Sequence, residues 1–100
     1  MADVPPFLRP IYDHDRELYD LIVRCMETAH ADEGAVPKKY RLLFSMVADG
    51  MMNHPSGVAA MAKAARAAGA TDAEINEAMR VIFVSGGMVA LINSLGGYEK

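Results

Sequence analysis

Cysteine is almost absent from the sequence, since Cys25 is the one cysteine among 100 residues. A single thiol cannot pair within its own chain. An internal disulfide framework and dithiol exchange by one chain are therefore excluded. Because so little cysteine is typical of a reduced compartment, we expect a cytoplasmic location.

The chain also lacks tryptophan and any concentration of positive charge. Lys and Arg together number 10 against 13 Asp and Glu, and the net charge is −3 with both signs spread along the chain. A surface that binds nucleic acid needs a basic stripe, often with interleaved aromatic residues. Nucleic acid is therefore not an expected partner.

Long apolar runs are missing as well. The longest covers residues 81–92 and is interrupted by Ser85, Gly86 and Gly87, whereas a membrane-spanning helix needs about 20 predominantly apolar residues. The N-terminal segment has no basic stretch followed by an apolar one, as a signal peptide would. We expect neither secretion nor a membrane partner.

The residues that could bind a metal ion do not have the spacing typical of a metal site. The chain has three histidines, which lie on different segments: His14, His30 and His54. A zinc site needs several ligands at characteristic spacings, and a methionine is more often an adaptable core residue than a copper ligand. No metal and no cofactor is therefore predicted.

What the sequence does contain is helical periodicity. Apolar residues recur at spacings of three and four, and no segment alternates with period two, so we predict an all-α fold of about four to five helices. The predicted helices cover about residues 15–31, 37–53, 55–69 and 71–90. Together they form a single domain over residues 1–100, in which residues 1–12 are an extended, Pro-rich lead-in.

Two local signals support these helices. Thr71 and Glu74 have the spacing of a capping box, and Gly69 is suited to the end of the preceding helix. Cys25 shares the apolar face of the first helix, which favours a buried, chemically inert thiol.

The apolar content suggests self-association. Hydrophobic residues make up 52% of the chain, and a small domain buries only about 60–65% of the surface of its unfolded chain. We therefore expect a homo-oligomer that buries part of the remaining apolar surface between copies.

Residues 38–95 carry a family resemblance. The matching segments are residues 39–43, 64–71, 72–78 and 86–93, which include the string Gly69-Ala-Thr-Asp-Ala-Glu-Ile-Asn-Glu77. The chain resembles the carboxymuconolactone decarboxylase and alkylhydroperoxidase D-like family. The resemblance implies an all-α helical unit that assembles as a homotrimer or homohexamer.

The same resemblance implies that the family's thiol chemistry is lost. Its peroxidases carry a Cys-x-x-Cys-x-x-x-His run with a Glu twelve residues earlier. Ungapped counting from Gly69 places His54, Gly57 and Met61 at the two Cys positions and the His position. Leu42 stands at the Glu position. Decarboxylases of the family use the Glu and His positions, so that chemistry loses its groups too.

Several residues remain candidates for a different function. We predict a pocket that binds a small apolar or carboxylated metabolite, lined by Leu42, Met46, Asn53, Met61 and Phe83. Arg41 or Arg80 could hold a carboxylate, although either could instead form an ion pair within the protein or with another subunit.

Two alternatives stay open beside simple binding. His54 could act as a general base, oriented by Asn53 or Asp49, in lactone or decarboxylation-type chemistry. In a non-catalytic alternative, His54 is only a turn residue and the chain is an oligomeric scaffold or accessory subunit.

Overall fold

The computed structural model describes residues 3–100 and is entirely helical over that range. The five α-helices are α1 (Arg9–His14), α2 (Arg16–Ala29), α3 (Lys38–Met51), α4 (Pro55–Ala67) and α5 (Asp72–Asn93). Two 3-10 turns, Pro6–Leu8 and Leu95–Tyr98, complete the elements. The all-α prediction is confirmed.

Contacts separate the chain into two compact units, Met1–Ala31 and Asp32–Lys100. The prediction of an extended lead-in was wrong for residues 6–12, which form a 3-10 turn and most of α1. Pro6 and Pro10 lie at the starts of these helices, where no intrahelical N–H is needed, so proline is compatible with both.

In the first unit, Asp15 begins α2 by accepting a hydrogen bond from the Leu18 N–H at 3.0 Å. Tyr12 and Tyr19 meet edge to face, and the Arg16 guanidinium lies 4.0 Å from the centre of the Tyr12 ring. Helix α2 has no buried residue. Cys25, which was predicted to be buried, is exposed. The amphipathic pattern correctly indicated that α2 is a helix. It did not indicate which residues pack against the apolar face of that helix.

The second unit holds a core built by α3, α4 and α5. Its most deeply buried large side chains are Met46, Val58, Ile75, Met79 and Ile82. The alanines of α4 let it approach its neighbours, because Ala62 and Ala65 are fully buried at positions where a longer side chain would separate the helices.

The boundary between α4 and α5 follows the sequence signals. Gly69 has φ of +103°, and Thr71 and Glu74 form the reciprocal hydrogen bonds of a capping box. Within α5, Gly87 has φ of 86° and ψ of −174° and kinks the helix. Only glycine adopts this conformation readily, so the kink is encoded by that residue.

α5 is long and apolar enough to cross a membrane by length and composition alone. Of its most apolar 18-residue window, 28% is buried within the protein, and Gly87 interrupts the helix. Core helices of soluble proteins meet the same two criteria, so this property does not assign α5 to a membrane.

Candidate functional site

The junction between α3 and α4 brings polar side chains together by a tight turn. Asn53 has φ of 58°, a left-handed conformation that asparagine tolerates better than most residues. The His54 N–H then donates to the Asp49 carbonyl at 2.9 Å. Pro55 follows as the first residue of α4, which leaves His54 at the N-cap position. The backbone reversal at Asn53 thus places His54 beside the last helical turn of α3.

His54 and Asp49 form a loose pair at this junction. The imidazole Nδ1 of His54 lies 3.6 Å from Oδ1 of Asp49, and the side chains are 59% and 27% exposed. This distance is slightly beyond that of a direct hydrogen bond. Because Nδ1 faces the carboxylate, Nε2 is the ring nitrogen available to another molecule.

Gly57 makes room for the Asp49 carboxylate. A Cβ at this position would lie 2.6 Å from Oδ2 of Asp49, well inside van der Waals contact. His54 and Gly57, which the family resemblance predicts to stand at the two thiol positions, therefore both adjoin one carboxylate. We refer to Asp49, His54 and Gly57 as the junction cluster.

Asn53 connects the junction to the end of α5. Its Oδ1 accepts a hydrogen bond from Nδ2 of Asn93 at 3.2 Å, although the two residues are 40 positions apart in sequence. Asn53 therefore has a structural partner, while a second lone pair on its oxygen and its own amide N–H groups stay available. Its predicted ligand-binding role remains a prediction.

The structure does not bring the other predicted pocket residues to one surface. Leu42 and Met46 lie in the core with 5% and 0% of their surface exposed, so neither side chain offers a ligand a contact surface in this conformation. Met61 is partly buried against that core. Phe83 is 43% exposed and lies in a groove along α5.

That groove, called here the α5 groove, has a volume of about 570 Å³. It is lined by Asn76, Met79, Arg80, Phe83, Val84, Leu91 and Tyr98. The lining includes Asn76, Arg80 and Phe83, which are spaced four and three positions apart. This spacing alone predicts that they share one face of a helix. Tyr98 was missed because it reaches the groove only through the kink in α5 and the turn that follows.

A second groove of about 510 Å³ lies along α3 and α5, and we call it the α3–α5 groove. Its lining is mainly apolar and includes Tyr40, Phe44 and Val81, with Glu74 and Glu77 also present. None of the residues predicted to bind a ligand lines it, and it was not anticipated from the sequence.

An ion pair beside the α3–α5 groove has a structural role. Nζ of Lys39 lies 3.0 Å from Oε2 of Glu74. The pKa of Glu74 is lowered by the backbone hydrogen bond from Thr71 and then by the Lys39 ammonium, and the pKa of Lys39 is raised by its hydrogen bond to Glu74. These shifts come from a helix cap and its neighbour, so they do not mark a catalytic centre.

Possible metal ligands do not cluster in the described part of the chain. Residues 3–100 contain no group of three or more His, Cys, Asp or Glu side chains placed to hold a metal ion. The junction cluster supplies one imidazole and one carboxylate, which suits proton transfer better than metal binding.

Comparison with known proteins shows the family. The sequence profile of the carboxymuconolactone decarboxylase family matches residues 16–98. The chain therefore belongs to the carboxymuconolactone decarboxylase family. No curated protein sequence matches it significantly.

A solved structure supports the same fold. The chain is similar to the crystal structure of a "putative carboxymuconolactone decarboxylase" from Burkholderia xenovorans LB400, with a TM-score of 0.76 and 25% sequence identity. The match covers 98% of this chain and 79% of the other. The similarity includes the two N-terminal helices as well as the second unit.

Proposed function

We propose that this chain is a carboxymuconolactone decarboxylase-family protein that performs proton-transfer chemistry without thiols, with His54 as the general base. The observation that carries the proposal is the pairing of His54 with Asp49 at the start of α4. His54 stands where the resemblance places the first cysteine of the family's peroxidases, and Asp49 also adjoins Gly57, at the position of the second.

The chemistry follows from the orientation of the imidazole. Nε2 of His54 accepts a proton from a carbon next to a carbonyl group, and the electron pair of the broken C–H bond moves onto the carbonyl oxygen as an enolate. The Asp49 carboxylate stabilises the imidazolium that forms and holds the tautomer with a proton on Nδ1. Return of the proton to the same or another carbon completes an exchange or an isomerisation.

The proposed substrate is a small lactone or related carbonyl compound that bears a carboxylate. The name of the similar Burkholderia protein, "putative carboxymuconolactone decarboxylase", supports this class for the present chain. Loss of CO₂ from a β-keto acid or an equivalent lactone would pass through the same enolate, so His54 would then donate the proton that replaces CO₂.

The test compares variants against a panel of carboxylated lactones and quinones. His54→Gln removes the base, and turnover should fall by about 10²–10⁴-fold. Asp49→Asn keeps the base and should cause a smaller loss. Cys25→Ser is the control and should retain full turnover. Unchanged turnover in His54→Gln, or a loss in Cys25→Ser, would contradict the proposal.

A second candidate function is binding without chemistry. The α5 groove supports it, because Phe83, one of the residues predicted to bind a ligand, is partly exposed there. In this proposal a small apolar or carboxylated molecule occupies a helical groove and the junction cluster takes no part. Ligand binding that survives His54→Gln, together with no turnover by the unaltered protein, would favour this candidate.

A further inference from the structure

The α5 groove contains a cation that the protein itself does not neutralise. Arg80 forms neither a hydrogen bond nor a salt bridge with its side chain anywhere in residues 3–100, although Glu77 lies one turn away on the same helix. Arg41, the other arginine considered for carboxylate binding, donates from Nε to the Val36 carbonyl at 2.9 Å. The structure thus distinguishes the two arginines and leaves Arg80 available.

The surroundings of Arg80 define the shape of a ligand. Phe83 and Tyr98 are 43% and 48% exposed, so their rings present apolar surface to the groove. Asn76 and the Tyr98 hydroxyl add neutral hydrogen-bonding groups. Among residues 3–100, Arg80 is the only charged residue in the lining.

These features favour one chemical class. A guanidinium binds a carboxylate through two parallel hydrogen bonds, and flat rings stack well on aromatic side chains. The volume of about 570 Å³ lies in the range of small-molecule sites. A groove with one cation and two aromatic rings is complementary to a planar monoanion and would repel a cationic ligand.

We propose that the α5 groove is a binding site for a planar aromatic or conjugated carboxylic acid, with Arg80 holding the carboxylate and Phe83 and Tyr98 contacting the ring. This inference gives the second candidate function a ligand class and a set of contacts. It does not depend on His54, because the junction cluster is not part of the groove lining.

The test is a titration of the 100-residue chain with benzoate and cinnamate, monitored by ligand-observed NMR. Both acids should bind saturably, and the uncharged amides benzamide and cinnamamide should bind at least about tenfold more weakly, since a guanidinium forms stronger hydrogen bonds with a carboxylate than with a neutral amide. Arg80→Gln should weaken the acids by a similar factor and leave the amides unchanged.

Two further variants show whether the loss of binding is specific to Arg80. Arg24→Gln removes an equivalent exposed charge from α2 and should bind the acids normally. His54→Gln should also bind them normally, so a failed catalytic proposal would not affect this result. Circular dichroism checks that Arg80→Gln retains its helices.

Three outcomes would overturn the assignment. One is equal affinity for acids and amides, and another is unchanged acid binding by Arg80→Gln. The third is no saturable binding by the unaltered protein, as expected if a second copy of the chain covers the groove.

Discussion

At the scale of single residues, Gly57 is the position on which the junction cluster depends. An alanine there would place its Cβ 2.6 Å from Oδ2 of Asp49 and displace the carboxylate from His54. Alanine in place of glycine also favours a helix by about 0.5–1 kcal/mol, which offsets part of the clash. Gly57→Ala is therefore expected to lower activity more than stability.

The measurement is turnover and melting temperature in parallel. Gly57→Ala should reduce turnover towards the level of Asp49→Asn while changing the melting temperature little. Gly34→Ala is the matched control, because a Cβ there meets its nearest neighbour, Arg41, at an ordinary 3.5 Å. Full activity in Gly57→Ala would show that the position of the Asp49 carboxylate has no catalytic consequence.

Residue identities in the sequence suggested Asp49 or Asn53 as a neighbour of His54, and the structure places Asp49 beside it, while the role of His54 stays a prediction. Residue identities were not enough to place Leu42 and Met46, whose types suit a pocket wall and a closed core equally well. Burial is decided by what packs opposite a side chain, and for Met46 that includes Gly97, on which a Cβ would lie 2.9 Å from Cε of Met46. The contact joins residues that no local pattern relates.

At the scale of helices, the start of α5 links stability to pH. Glu74 accepts the Thr71 N–H at 2.9 Å and pairs with Lys39, and both interactions are stronger when the carboxylate is ionised. They lower the pKa of Glu74 below its ordinary value of 4.5. The stability they contribute is therefore fully present above pH 4.5 and is lost as the pH falls through the lowered pKa.

This behaviour can be measured by denaturation between pH 7 and pH 3. Glu74→Gln should lower the free energy of unfolding at pH 7 and flatten its decrease on the acid side. The decrease should not vanish, because the pKa values of Asp32 and Asp72 are also lowered, each chiefly by a hydrogen bond from a lysine. Glu77→Gln, an exposed change on the same helix, should leave the slope unaltered. An identical acid-side slope in Glu74→Gln would contradict this assignment.

Helix existence and most boundaries were predictable because the signals are local. The capping box at Thr71, the Asn-His-Pro turn and Gly69 each act within a few residues. The N-terminal prolines were misread as extended chain, although proline in the first turn of a helix is well tolerated. The sequence did not decide the effect of the Gly86-Gly87 pair, because such a pair permits either a helix kink or the close approach of another backbone. The structure shows the kink, at Gly87.

At the scale of the whole molecule, exposed apolar surface is the most prominent feature of the second unit. Phe44 is 62% exposed and Val89 is 69% exposed. The α3–α5 groove, which includes Phe44, is a mainly apolar surface of the kind that monomers seldom leave open. We expect copies of the chain to associate through it.

Native mass spectrometry tests this expectation and should show a trimer or a hexamer. Phe44→Glu should shift the protein towards monomer, because it places a charge in an apolar interface. Ala67→Glu, at an exposed position on α4, is the control and should leave the assembly intact. A monomer at micromolar concentration of the unaltered chain would contradict the prediction.

The architecture could be predicted further than the site. Periodicity and the family resemblance indicated the all-helical fold, which depends on many weak signals that agree. The junction cluster is formed by one local turn, but the α5 groove needs Tyr98 from beyond the end of α5, and Asn53 is hydrogen-bonded to Asn93, 40 positions away. One sequence contains no signal for such contacts until the helices are packed.

The most direct test of proton transfer by His54 is deuterium exchange in heavy water. The unaltered protein should catalyse exchange of the proton next to the carbonyl group in a carboxylated lactone, followed by NMR, and His54→Gln should lose that catalysis by about 10²-fold or more. Two results would contradict proton transfer by His54. One is exchange at the same rate in both proteins, and the other is exchange at the uncatalysed rate with the unaltered protein for every carboxylated lactone tested.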